Sequence, residues 1–209
     1  MGPIADSPPV NLRDMAHRTI RLALGESALK EIHARVWARR LKQPNPYIPE
    51  DILSQFLKPG DCCVDIGAHG GGFAYPMSLR VGAEGKVFAY EAYPYYAQVL
   101  QRTLDILDLS NVILHNFGLS DREGWSDLVT HDGQGNRLTG MTHLAGAKEE
   151  DIGGSIRVRT CSLDSLLSEQ PDLLRVRLVK CDVEGAELFV FKGARELLAR
   201  VRPAVFCEI

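Results

Sequence analysis

Residues 62–75, CCVDIGAHGGGFAY, decide how this chain folds. The apolar run Cys62-Cys63-Val64 reads as a short buried strand that continues through Asp65 and Ile66 and then meets glycines at 67, 70, 71 and 72. Apolar spacing resumes from Phe73 to Leu79 and predicts a helix. The glycines therefore sit where a strand hands over to a helix, a place where unpaired N–H groups are expected to face a ligand.

Charge narrows the ligand. The position two after Gly67 is His69, so the G-x-G-x-x-G fingerprint of a dinucleotide site is not met. Asp65, at the mouth of the turn, would repel a pyrophosphate and could accept hydrogen bonds from an ammonium group. S-adenosylmethionine has no phosphate, and its amino group and sulfonium suit these charges. Lys86 to Tyr90, KVFAY, reads as the next strand and ends at Glu91, 26 positions after Asp65. In nucleoside-binding α/β sheets an acid at this place holds the ribose hydroxyls. The plainer reading, Asp65 as a turn residue and Glu91 as a helix-start charge, stands beside it.

Outward from this core, Glu50 to Leu57 and Tyr95 to Leu107 read as helices and Val112 to His115 as a third strand. The alternation predicts a parallel sheet wrapped by helices. Asn116 and Phe117 follow the third strand on the edge that carries the glycine turn and could face an adenine; packing explains Phe117 equally well. Trp125 to Arg159 interrupts the alternation with a polar, glycine-containing stretch in which hairpins and the determinants of substrate selectivity are expected. Arg157 to Thr160 resumes a strand, Leu163 to Leu167 starts a short helix, Val176 to Cys181 is the fourth core strand, Ala186 to Arg200 reads as one amphipathic helix, and Ala204 to Ile209 is the fifth strand.

Asp182-Val183-Glu184-Gly185 lies at the carboxyl end of the fourth strand, where open α/β sheets bind ligands. Asp182 is the candidate to orient an acceptor hydroxyl or take its proton, with Glu184 in support. The alternative is that Glu184 and Glu187 only favour a helix N-terminus. A divalent cation held by Asp182, Glu184 and Glu208 is a further option. His131 and His143 have no metal-ligand spacing, and no metal site is assigned.

The composition, 209 residues with 45% apolar and 24% charged, is that of a globular chain, and a net charge of -3 argues against a polyanion partner. Residues 1–45 hold eight Lys or Arg against four acids, with Arg35, Arg39, Arg40 and Lys42 clustered near the end of a helical pattern over residues 11–41 that should break at Gly25. Such a cluster is either a solvated face or a contact for an anionic substrate. Residues 1–10 are Pro-rich and expected to be disordered, and KQPNPYIP, residues 42–49, reads as a linker. The division is thus a helical appendage over 1–45 and a main domain over 46–209. Five cysteines without C-x-x-C spacing suit reduced thiols and a cytoplasmic protein, and neither a signal peptide nor a membrane span is read in the sequence.

DIGAHGGGFA, VFAYEAYP, HNFGLSDREG, TCSLDSLL and LVKCDVEGAELFVFKGA with PAVFCEI, in that order, resemble the motifs of the FkbM-type S-adenosylmethionine-dependent methyltransferases over roughly residues 46–209. The resemblance implies a class I methyltransferase, Rossmann-like α/β fold: a mostly parallel sheet with helices on both faces, here with the N-terminal helical appendage. It implies O-methylation of a hydroxyl on a sugar, polyketide or related small metabolite. On that likeness Asp65, Gly67, His69 and Gly70 line the methionine end of S-adenosylmethionine and Glu91 its ribose, with Ala68 and Ala92 also among the cofactor-binding residues. The family commonly has Asn where this chain has His69. Class I methyltransferases are similar in having seven strands, the last two an antiparallel hairpin, and nothing follows Ile209, so a form lacking that hairpin is expected, with the fifth strand as an edge. Competing functions are a nicotinamide-dependent oxidoreductase, a cofactor-binding module without turnover, and a nucleic-acid methyltransferase, the last resting only on the basic N-terminal helix.

Overall fold

Cys62–Ile66 (β1) is apolar at four of its five positions and buried at all five, as a strand covered on both faces must be. The computed structural model describes residues 12–44, 48, 50–130, 143–144 and 154–207, with side chains from residue 25 onward except at 143–144. Around β1 run Lys86–Tyr90 (β2), Val112–His115 (β3), Val176–Cys181 (β8) and Ala204–Cys207 (β9), in the order β3-β2-β1-β8-β9 and all parallel. The interrupted stretch builds a second sheet. There Gly124–Val129 (β5) and Ser155–Cys161 (β7) pair antiparallel, flanked by Gly118–Leu119 (β4) and His143–Leu144 (β6).

Alternation along β1 assigns its two faces. Cys62, Val64 and Ile66 pack with Phe88, Tyr90, Val190 and Leu197 on one side, and Cys63 packs with Ala89, Leu178, Met77 and Leu100 on the other. The helices Glu50–Phe56 (α2), Ala74–Val81 (α3) and Pro94–Leu107 (α4) cover the second face. Glu187–Lys192 (α5) and Arg195–Val201 (α6) cover the first.

The single helix expected over residues 186–200 is corrected to two, α5 and α6. Gly193 stands between them because a Cβ there would lie 2.0 Å from the Ser120 carbonyl oxygen, so the chain passes that loop too closely for any side chain. The other strands and helices begin within two residues of their expected places, the short helix read over residues 163–167 is the single 3-10 turn Asp164–Leu166, and the break at Gly25 is present as a non-helical φ of 80° inside Leu12–Leu41 (α1). Ile48 of the expected linker is buried against the α2–α3 face. Residues 1–10, His131, Glu208 and Ile209 lie outside the described residues, as do most of the linker prolines.

The last turns of α1 pack along α4 rather than hanging free of the main sheet. Arg102 Nε donates to Glu31 Oε2 at 2.6 Å, and Lys30 Nζ donates to Gln98 Oε1 at 2.7 Å. Tyr93, Tyr95, Tyr96 and Val99 form a small core with Ala34 of α1 and with Leu128 and Val158 of the second sheet. Both additions thereby meet at the carboxyl end of the parallel strands.

Candidate active site

The strand order reverses at β1: the chain moves outward through β2 and β3, then returns to place β8 on the other side. Ligands of open α/β sheets bind in the crevice beyond the carboxyl ends at such a reversal. Gly67 lies at that point with φ 77°, and a Cβ on it would sit 2.0 Å from the Asp182 carbonyl oxygen. Only glycine lets the turn after β1 cross the end of β8 this closely.

The turn does not offer the row of unpaired donors expected from sequence. The N–H groups of Gly67 and Ala68 donate to the Tyr90 carbonyl, that of Gly71 to the Ala68 carbonyl, and that of His69 to Glu91 Oε2 at 2.8 Å. With these donors spent inside the chain, the bend is a shaped floor rather than an anion cradle.

A cavity of about 380 Å3 opens above this floor. Gly67, Ala68, His69, Glu91, Ala92, Phe117, Asp182 and Glu184 of the sequence-nominated residues line it. Asp65, Gly70 and Asn116 take other places. Gly70 faces the Trp37 ring of α1, which a Cβ would approach to 2.2 Å. Asn116 is exposed, and its Nδ2 donates to the Glu91 carbonyl at 2.8 Å, so it braces the loop after β2 from outside. Asp65 is wholly buried below the turn.

Register sets the acids on one face. Asp65 is paired with Ala89, two positions before Glu91, so the two carboxylates project to the same side of the sheet. Glu91 is 6% exposed; its Oε1 accepts the Tyr93 N–H at 2.8 Å and its Oε2 the His69 N–H. Burial pushes its carboxyl up to about 7, partly offset by those two N–H groups. His69, with a left-handed φ of 47°, packs between Trp37, edge-on, and Tyr96, tilted, at ring distances of 5.3 and 3.8 Å. Burial lowers its imidazole to about 4, and its buried Nε2 has no hydrogen-bond partner.

The residue that sequence reasoning passed over is Lys180. It is paired directly with Asp65 across β8 and β1, and its Nζ lies 3.2 Å from Asp65 Oδ1 and 3.6 Å from Asp182 Oδ2. Nζ also donates to the Gly67 carbonyl at 2.9 Å and the Ile66 carbonyl at 3.2 Å. Burial opposes its charge, but Asp65 and Asp182 outweigh that and hold it above the ordinary lysine range. Lys180 is therefore a fixed cation. The signal for it was available: a lysine inside V-R-L-V-K-C, in a strand covered on both faces, must have a counter-charge. Trp37 and Arg40 of α1 also line the cavity, though the sequence showed them only as an apolar-face residue and one member of a basic cluster.

Glu184 lines the cavity in a left-handed conformation, φ 58°, while Glu187 does the helix-start work, its carboxylate accepting the Val183 N–H at 2.9 Å and the Gly185 N–H at 3.0 Å. Among the described residues no three His, Cys, Asp or Glu side chains stand together as a metal site. The residues present fit S-adenosylmethionine. Each Glu91 oxygen has lone pairs left for ribose hydroxyls, Phe117, Leu119 and Leu128 form an apolar wall for a base, and among the described residues three acids against two bases line a cavity suited to a cationic ligand.

Residues 65–209 match the methyltransferase FkbM domain. The 2-O-methyltransferase NoeI of Sinorhizobium fredii is 28% identical over 179 residues, covering 80% of this chain and 72% of that protein. Methyltransferase sdnD of Sordaria araneosa is 34% identical over 156 residues, covering 64% of this chain and 60% of that protein. A SAM-dependent methyltransferase from Aquifex aeolicus superposes with a TM-score of 0.43 at 19% identity, over 78% of this chain and 64% of that structure. The chain thus spans between 60% and 72% of the length of these two curated relatives.

Proposed function

This chain belongs to the methyltransferase FkbM domain family of S-adenosylmethionine-dependent methyltransferases, and we propose that it methylates a hydroxyl oxygen on a small metabolite such as a sugar or polyketide. The observation that carries the reading is the meeting, in one cavity, of the glycine turn after β1, the buried acid after β2 and Asp182 after β8. The name of the bacterial relative, a 2-O-methyltransferase, supports oxygen as the acceptor atom.

When bound, the cofactor supplies an activated methyl group that the acceptor oxygen takes in line, the C–O bond forming as the C–S bond breaks. The protein's task is alignment, which supplies up to roughly 7 to 11 kcal/mol of a barrier. Glu91 receives the ribose hydroxyls, and the turn from Gly67 to His69 supports the methionine end. Asp182 accepts the hydroxyl proton, with Glu184 beside it in the cavity wall. Lys180 is not the base, because its two carboxylates keep it protonated. Gly118, Leu119 and Leu128 bring the second sheet into the cavity wall, and acceptor selectivity is assigned to that sheet. A pyrophosphate would meet Glu91, Asp182 and Glu184 over a turn whose N–H groups are largely committed, which disfavours a nicotinamide dinucleotide. The free cysteines, four of them buried, support a reducing, cytoplasmic setting.

The test is incubation of the full chain with S-adenosylmethionine and a panel of hydroxylated sugars and polyketides, followed by mass spectrometry. One added methyl on an acceptor oxygen is expected. Cofactor binding without any methyl release across the panel would leave a binding module instead.

A further inference from the structure

Resting on that cofactor reading, we propose that α1, which lies outside the matched domain, completes the cofactor site: Arg40 binds the carboxylate of the methionine moiety while Trp37 roofs the turn beneath it. The helix is held in place for such a role. Glu31, Lys30 and His33 of α1 bond to Arg102, Gln98 and Tyr95 of α4, the last through a 2.8 Å contact between the His33 ring and the Tyr95 hydroxyl. One turn further on, Trp37 lies so close to Gly70 that no side chain fits there, and its ring meets the His69 ring edge-on at 5.3 Å. The Arg40 guanidinium stacks over the same indole at 5.1 Å, and both residues form cavity wall. The stack thus holds Arg40 on the ring that packs against Gly70 and His69 of the glycine turn.

Charge makes the assignment specific. Glu91, Asp182 and Glu184 favour the ammonium and sulfonium of the ligand, but its carboxylate entering the same cavity requires a cation. Lys180 is drawn down between Asp65, Asp182 and two backbone carbonyls below the turn. Among the described residues Arg40 is the other lining cation, and a guanidinium presents the fork that a carboxylate accepts in a bidentate pair. A carboxylate on the acceptor offers the same chemistry from a second source, and the ligands below separate the two.

Calorimetric dissociation constants for S-adenosylmethionine and for its decarboxylated analogue, measured on the wild-type chain and on Arg40→Ala, Arg40→Lys and Trp37→Ala, test the assignment. Arg40→Ala should weaken S-adenosylmethionine about tenfold to a hundredfold and leave the analogue unchanged. Arg40→Lys should recover part of the loss, and Trp37→Ala should weaken both ligands. An Arg40→Ala chain that binds S-adenosylmethionine as wild type does, or loses both ligands equally, overturns the inference, as does a loss confined to acceptor binding. A wild-type chain that binds neither ligand would instead overturn the functional reading on which it rests.

Discussion

Lys180 Nζ lies 3.2 Å from Asp65 Oδ1, and the two residues are direct cross-strand partners, 2% and 0% exposed, beneath the turn that floors the cavity. Neither Asp65 oxygen completes a well-directed hydrogen bond, and burial pushes its carboxyl above the usual range against the pull of Lys180. The pair joins the two strands whose carboxyl ends make the site. It also reaches Asp182 through the same ammonium, so cofactor floor and acceptor side share one charge.

Removing one member should therefore cost far more than removing both. Lys180→Met leaves a buried, uncompensated Asp65, which is expected to lower stability by about 3 to 5 kcal/mol. Adding Asp65→Asn to it should recover much of that loss. Urea denaturation of the two single variants and the double variant measures the coupling. Strictly additive effects would show that the contact carries no shared energy.

Gly67 and Gly72 should respond in opposite ways to alanine. At Gly67 the new methyl meets the Asp182 carbonyl and the backbone sits at φ 77°, so Gly67→Ala should lose about 2 to 5 kcal/mol and most cofactor affinity. At Gly72 no described residue lies within 4 Å of an added Cβ, and stability should change by less than about 1 kcal/mol. Thermal melts of both variants, with cofactor titration, check the contrast.

The pH dependence of the cofactor-free protein should carry the mark of Glu91. Its carboxyl rises from 4.5 to about 7 on folding, so the folded state holds the proton more tightly. The stability this contributes is fully present below about pH 4.5 and is lost as pH rises through about 7, a change on the order of 3 kcal/mol. Glu91→Gln removes that dependence. The gap in melting temperature between wild type and Glu91→Gln should therefore vary with pH over this window, whereas a constant gap would show that burial does not hold the proton.

The sheet was legible because its strands obey local rules. KVFAY, VILH and VRLVKC are short, mainly apolar runs bounded by turn residues, and β2, β3 and β8 occupy those spans. The acid after β2 was legible because its place follows from the topology. The broken helix at Gly193 was hidden, since amphipathic spacing continues through it and only the nearby Ser120 carbonyl forbids a side chain. The donors of the glycine turn were misread for a similar reason: glycine content predicts a bend, while the partners of its N–H groups come from β2 and Glu91. Trp37 and Arg40 reach the site across 30 residues of sequence separation between Trp37 and Gly67, a proximity that no local pattern encodes.

Asp182 is the residue on which turnover should depend most. Its side chain is 35% exposed at the cavity, so Asp182→Asn keeps the shape, costs little stability and removes a proton acceptor. Lys180 keeps its contact with Asp65 in that variant, and cofactor affinity, which Glu91 and Glu184 still favour, should fall far less than the rate does. The rate of methyl transfer should fall about a hundredfold to ten-thousandfold, the range for losing a positioned base. The fall should appear in kcat, because an acceptor oxygen that retains its proton is a poorer nucleophile in the transition state whatever its affinity. If KM for the acceptor rises while kcat holds, Asp182 positions the hydroxyl without taking its proton, and Glu184, the other acid on this side of the cavity, becomes the group to replace next.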